Sequence, residues 1–222
     1  MVFDSFYHSG FDVPNMTGTD MGLWCSIRTF AKHATELGNQ QPSEPVFFVK
    51  PNNCIQTEGA IQVSSHPGSV HHEVECVILL NQELQIDSIA VGLDLTDREV
   101  QSDLRKEQLP WAKGKCFRAS AVLGNFVSWN NTFESLSDPN IGLHLQLIVN
   151  GELRQSASLS SMSISPAMQY ESLIQWAPVQ AGDYLFTGTP SGVAQLYPGD
   201  KVKATLQTTD GEVISVIESV CE

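Results

Sequence analysis

Two glutamates stand two residues apart in the segment His71-His72-Glu73-Val74-Glu75. On an extended strand alternate side chains share a face, so Glu73 and Glu75 point one way and Val74 and Cys76 the other. Two carboxylates on one face of an otherwise apolar segment repel each other and are costly to bury. A divalent cation removes that cost. Asp94 ends the next apolar run, SIAVGLDL, where a third carboxylate completes the set. Three carboxylates with open positions suit Mg²⁺ or Mn²⁺, hard cations that keep waters or substrate oxygens, and Ca²⁺ shares the preference for oxygen. Oxygen-rich ligation, with Cys76 on the opposite face and no cysteine ligand at hand, disfavours zinc. Glu-x-Glu spacing equally suits a solvated strand face, so spacing alone leaves both readings open. A second pair, His33 and Glu36, stands at i and i+3, on one face of a helix. A carboxylate beside an imidazole orients it and stabilises its charged form, which makes a general acid–base pair. An exposed helical pair without a role has the same spacing.

Other groups are weaker alone. Lys50 follows an apolar strand, and Lys115, in PWAKGKCF, is placed at a strand start facing a cleft. Surface lysines would look no different. Thr187-Gly188-Thr189-Pro190-Ser191-Gly192 is either an ordinary tight turn or a turn whose hydroxyls and amides hold a carboxylate.

The elements that must position these groups are mostly strands. The spacing predicts a helix over 26–38, with Ile27, Phe30, Ala31, Ala34 and Leu37 as its apolar stripe and Gly38 as its C-cap. Strands are expected at 45–50, 69–80 and 88–95. Thr96 or Asp97 caps a helix over 97–108, before Pro110. Residues 143–159 form a hairpin about Asn150-Gly151, the pair favoured in type I′ turns. A helix starts at Pro166 with Ile174 and Trp176 spaced against Met168 and Tyr170. Strands follow at 183–187, 200–207 and 212–219. Strands outnumber helices without a regular βαβ alternation, which predicts an α+β, predominantly β fold. Residues 1–22 are polar and turn-rich, a lead-in to one domain over 23–222.

The balance of 25 acidic against 12 basic residues leaves a net charge of -13. Such a surface repels phosphate backbones and anionic lipid, so neither nucleic acid nor membrane is an expected partner. No apolar run approaches the roughly 18 residues of a membrane span, and the first residues lack a basic-then-apolar signal. Five scattered cysteines without a CxxC read as reduced thiols. A cytoplasmic protein is the expectation.

Taken in order, EPVFFVKP, HHEVE, VGLDLTDREVQ, LPWAKGKCF, VNGELRQ and AGDYLFTGTPSGV resemble the fumarylacetoacetate hydrolase family, over about residues 23–218. The likeness is to its short members of the acylpyruvase and oxaloacetate decarboxylase/tautomerase type. The resemblance implies a mixed β-roll, a homodimer, and Mg²⁺ or Mn²⁺ held by Glu73, Glu75 and Asp94. It implies that the IRTFAKHATE segment is a helix closing over the active site, with His33 and Glu36 as its dyad. Arg28 matches a substrate-facing arginine, and Gln101, Lys115 and Thr189 match positions lining the substrate or metal site. Relatives often carry Gly-Arg-Asn-Tyr where this chain has Ile27-Arg28-Thr29-Phe30. That departure bears on substrate identity more than on metal binding.

The implied substrate is a small 2-oxo acid such as an acylpyruvate. The leading implied reaction is hydrolysis of its C–C bond: His33, supported by Glu36, activates water, and the metal and Lys115 stabilise the pyruvate enolate that leaves. The alternative is decarboxylation or enol–keto tautomerisation of oxaloacetate, or tautomerisation of a 2-hydroxy-dienoate, in the same site. A binding-only relative would keep the carboxylates and lose the dyad, and both dyad residues are present. A different class is a cupin-like iron oxygenase using His71 or His72, a glutamate and His144. Against it, His144 stands alone in LHLQLIVNG without a glycine-bounded motif.

Overall fold

The computed structural model describes residues 21–36, 38 and 40–222. Most of the expected lead-in therefore lies outside the described residues, as does Leu37 of the expected first helix. The elements run β1 (Gly22–Ile27), α1 (Ala31–Glu36), β2 (Val46–Pro51), β3 (Ile55–Gln56), β4 (Val70–His71), β5 (Val74–Leu80), β6 (Ile86–Asp94) and β7 (Thr96–Asp97). Then come α2 (Arg98–Lys106), α3 (Ala112–Lys115), β8 (Ala121–Leu123), β9 (Val127–Ser128), β10 (His144–Val149) and β11 (Glu152–Ser158). The chain closes with α4 (Pro166–Leu173), β12 (Tyr184–Phe186), β13 (Lys201–Gln207) and β14 (Val213–Val220).

The larger sheet has eight strands in the order β2-β1-β12-β5-β6-β8-β3, with β9 pairing β6 off that path. It is mixed: β1 runs parallel to β12 and β3 to β8, and the other pairs are antiparallel. A second sheet, β11-β10-β13-β14, covers one of its faces. Between them lies the main core. Cys76, Ile78, Ile89 and Val91 pack against Leu145, Leu147, Val202, Ala204, Leu206 and Ile217. The period-2 alternation on β10 and β13 is the sequence signature of that one-sided burial.

The other face of the larger sheet carries a small cluster of Leu23, Cys25, Val77, Ala121, Leu123 and Phe186. Directly paired residues share a face. Glu75 opposes Gly92, Asp94 opposes Ala121, and Lys50 opposes Leu23, so all three point to this side. From the β2 edge the Lys50 ammonium donates to Leu95 O at 3.1 Å and Ser120 O at 2.6 Å, beside β6 and β8. A side chain spans those strands because the sheet curls into a half-barrel.

Several expectations change. Residues 26 and 27 are strand, not helix: Ser26 and Ile27 pair with Phe47 and Val46. Arg28 then takes φ 55°, and the helix starts only at Ala31. Cross-strand pairing outweighs the helical stripe there. Gly38 does end that turn, at φ 66°. The strand expected over 69–80 is broken at His72 and Glu73. The helix from Pro166 stops at Leu173, and Ile174 and Trp176 are exposed. Its buried face instead turns Gln169 inward to Ser26, Ile164 and Thr187. The cap of α2 is as expected, with Asp97 accepting from the Val100 N–H at 3.0 Å. The hairpin turns at Asn150 and Gly151, both at positive φ. All five cysteines are free.

Candidate active site

Glu73, Glu75 and Asp94 meet where β5 begins and β6 ends, each at most 5% exposed. One oxygen of each lies within 4.8 Å of the others. Among the described residues this is the group of His, Cys, Asp and Glu that brings three such ligand atoms together. Buried carboxylates demand counter-charge. Lys115 supplies it, donating to Glu73 Oε2 at 2.8 Å and to Asp94 Oδ2 at 2.5 Å. Arg98, the first residue of α2, pairs with Glu73 Oε1. From the opposite side Lys50 pairs with Asp94 Oδ1 at 2.6 Å.

The three acids are not equivalent. Burial opposes the charge on Glu73, but Lys115 and Arg98 override it and hold its carboxyl below the usual range. Glu75 is pushed well above that range by burial, then by Asp94 and Glu73. Its local support is the Gly188 N–H, donated to Oε2 at 2.6 Å. Lys115 is raised: burial favours its neutral form, and Asp94 and Glu73 more than reverse that. Its ammonium is a fixed charge. Asp94 Oδ1 has Lys50 as its partner. An all-oxygen donor set and one acid that ionises only against repulsion together fit a divalent cation.

The loop after β12 closes the site. Thr187 donates its N–H and hydroxyl to Cys76 O, anchoring the loop on β5. Gly188 sits at φ 93°, and a Cβ there would lie 2.1 Å from Thr29 Oγ1. Gly192 sits at φ 102°, and a Cβ there would lie 2.0 Å from Arg154 O. Only glycine allows this path, which aims the Gly188 N–H at Glu75 and the Gly192 N–H at Glu36, 3.0 Å from Oε1.

His33 is buried on α1, and its Nδ1 lies 3.1 Å from Glu36 Oε2. With Nδ1–H directed at the carboxylate, Nε2 remains to take or give a proton. A cavity of about 200 Å³ is lined by His33, the three acids, Lys115, Arg28, Gln101 and Thr189. The fold thus brings to this cavity the site residues singled out in the sequence, except that Glu36 does not line it and acts on it through the His33 ring. Lys115, expected at a strand start, is the last residue of α3, where its N–H bonds to Trp111 O. The iron alternative does not assemble. His72 Nδ1 pairs with Gln155 at 2.9 Å, His71 Nε2 with Ser69, and His144, on the other sheet, with Ser156.

Two important residues escaped the sequence reading. Arg98 stands three residues before Gln101, a helical spacing that was available as a signal. Gln155 had no such signal. From β11 its Oε1 accepts from the Val74 N–H at 3.1 Å and meets the His72 ring. Its Nε2 donates to Thr189 Oγ1 at 2.8 Å and Pro190 O at 2.7 Å. It ties the strand carrying the glutamates to the loop that closes on them.

The chain is 37% identical over 194 residues to the oxaloacetate tautomerase YcgM of Escherichia coli (strain K12), covering 82% of this chain and 86% of that one. It is 35% identical over 193 residues to the mitochondrial oxaloacetate tautomerase FAHD1 of Bos taurus, covering 81% and 84%. Its structure resembles that of fumarylpyruvate hydrolase from Pseudomonas aeruginosa in complex with Mn²⁺ and pyruvate, with a TM-score of 0.77 and 27% identity over 91% of each chain. The description "Fumarylacetoacetate (FAA) hydrolase C-terminal" matches residues 22–218, nearly all of the described chain. The protein therefore belongs to the fumarylacetoacetate hydrolase family.

Proposed function

We propose that the protein moves protons at C3 of a small 2-oxo acid, with oxaloacetate as the reference substrate, as a tautomerase that also decarboxylates. The observation that carries this reading is one cavity lined by the carboxylate trio, the fixed Lys115 ammonium and His33, with Glu36 bound to the His33 ring from behind. The oxaloacetate-directed relatives shift the emphasis from C–C hydrolysis, the leading reaction implied by the sequence, to its alternative. Glu73, Glu75 and Asp94 would hold Mg²⁺ or Mn²⁺, which would act as a Lewis acid on the 2-oxo oxygen.

His33 Nε2 takes the C3 proton, and Glu36 stabilises the imidazolium that results. Lys115 stays protonated and stabilises negative charge developing on the substrate oxygen. Three carboxylates meet three cations here (Lys50, Lys115 and Arg98), so a divalent ion leaves two positive charges in excess. A doubly charged acid such as oxaloacetate neutralises them. Decarboxylation draws on the same charge stabilisation without needing a base at C3. The hydrolytic reading keeps support from the fumarylpyruvate hydrolase likeness, with His33 activating a water instead.

The test is a panel of oxaloacetate, acetylpyruvate and fumarylpyruvate with Mg²⁺ or Mn²⁺, and EDTA as control. Metal-dependent loss of enol absorbance without pyruvate identifies a tautomerase, and pyruvate from oxaloacetate a decarboxylase. Glu36→Gln should keep metal affinity and lower kcat by about 10²–10⁴. A metal-loaded protein that accelerates none of these reactions refutes the reading.

A further inference from the structure

The first turn of α2 is held from behind, away from the cavity. His66, in the loop before β4, places its Nε2 2.6 Å from Asp97 Oδ2. Asp97 is 1% exposed, so the oxygen that faces His66 has no water to turn to. The other oxygen of Asp97 caps α2 at the Val100 N–H. Gly68 makes room for this carboxylate: a Cβ there would lie 1.6 Å from Asp97 Oδ2. The Arg98 N–H bonds to Ser69 O at 3.0 Å, and Val70 pairs with Asp97 between β4 and β7. The segment 66–70 thus grips Asp97 and Arg98 together. The His66 ring is fixed in turn by stacking on Phe117, with centroids 4.1 Å apart and planes at 25°. Beyond this grip, the Arg98 side chain reaches Glu73 and donates to Gln101 Oε1 at 2.8 Å.

We propose that His66 is a positioning residue for the metal centre: through Asp97 it fixes the first turn of α2 and so aims the Arg98 guanidinium at Glu73. The proposal rests on the reading that the trio holds a divalent ion. His66 does not line the cavity, and its effect passes through two residues. A guanidinium held in one place keeps the Glu73 carboxylate in one orientation, set toward the ion. Loosening the turn leaves the Arg98 charge nearby but removes its aim. The ion then meets the same repulsion with a poorer ligand, and affinity falls.

The test is the Mn²⁺ affinity of the folded, metal-free protein, measured by calorimetry well below its unfolding temperature. His66→Ala should weaken binding about tenfold, the low end for lost support of a ligand, because Arg98 stays on its helix. His66→Gln can still donate to Asp97 Oδ2 and should recover most of the loss. In an Arg98→Gln background, His66→Ala should change affinity by less than about twofold, because the residue it acts through is gone. Asp97→Ser keeps a helix cap but removes the oxygen that meets His66, and should reproduce the loss. It carries the test if His66→Ala does not fold. Unchanged Mn²⁺ affinity in the folded variants overturns the proposal. So does a full-sized loss that persists without Arg98, which is the mark of a merely structural role. If the wild type takes up no Mn²⁺, the reading of the trio fails, and amide exchange decides the link instead. His66→Ala should then speed exchange at Arg98 and Val100 but not at Ile89 and Val91 in the core, and unchanged exchange at the helix start overturns the link.

Discussion

Replacing Gln155 with leucine keeps most of the side-chain volume and removes its whole hydrogen-bonding capacity. The side chain is 1% exposed and serves four partners: the His72 ring, the Val74 N–H, the Thr189 hydroxyl and the Pro190 carbonyl. A buried polar group left unsatisfied costs about 1–3 kcal/mol. The two backbone groups cannot turn away, whereas the hydroxyl and imidazole retain some freedom. The expected loss is therefore about 3–5 kcal/mol, a large share of a typical total of about 5–15 kcal/mol. The damage should also reach the metal centre. Val74 lies between Glu73 and Glu75, and Thr189 follows the glycine whose N–H steadies Glu75. Loss of such support typically costs about 10–100-fold in metal affinity. Urea unfolding of metal-free protein gives the stability term, and Mn²⁺ titration of the folded variant gives the affinity term. A stability loss below about 1 kcal/mol with Mn²⁺ affinity within about twofold of wild type would refute the linking role argued for Gln155.

Two further outcomes follow from the same charges. The Glu75 carboxyl is raised above its ordinary 4.5 in the fold. Metal-free protein therefore keeps a proton there that the unfolded chain releases. That contribution is complete below the unfolded value and is lost as pH rises through the folded one. Metal-free stability should fall across this window, and metal uptake should expel the proton, so Mn²⁺ affinity should rise with pH; calorimetry in buffers of different ionisation enthalpy counts the proton, and a pH-independent affinity sinks the assignment. Lys50→Met should destabilise the protein by about 3–5 kcal/mol, since it strips the buried Asp94 of one of its two ammonium partners and leaves two carbonyls unpaired. A neutral result in denaturant unfolding would show that the ammonium's burial cost cancels its pairing.

The candidate site was largely legible because its chemistry is local. The Glu73-x-Glu75 spacing brings two carboxylates together at the start of β5 even though the strand begins only at Val74, and His33 and Glu36 meet through one helical turn. Asp97 announces α2 through its cap, and Asn150-Gly151 announces its hairpin. Where tertiary pairing competed with a local pattern, the local pattern lost. Ser26 and Ile27 fit a helical stripe, yet they complete the β1–β2 ladder, and α1 starts four residues later. Lys115 was recognised but misplaced, because a four-residue helix leaves no periodicity to read.

The residue types and their order determined the family, and the Glu73–Glu75 and His33–Glu36 pairs, since each pair depends on neighbours within a few positions along the chain; Asp94, 19 residues after Glu75, was read from its place at the end of the next strand. The tertiary structure decided how the trio is charged. Lys50, Arg98 and Lys115 come to the acids from three elements, β2, α2 and α3, and only the curl of the sheet brings them to one place. It also decided that Gln155, 81 residues from Val74, braces the glutamates. Coulomb and hydrogen-bond energies depend on distance in space. A sequence records such distances only within an element, and between elements packing sets them.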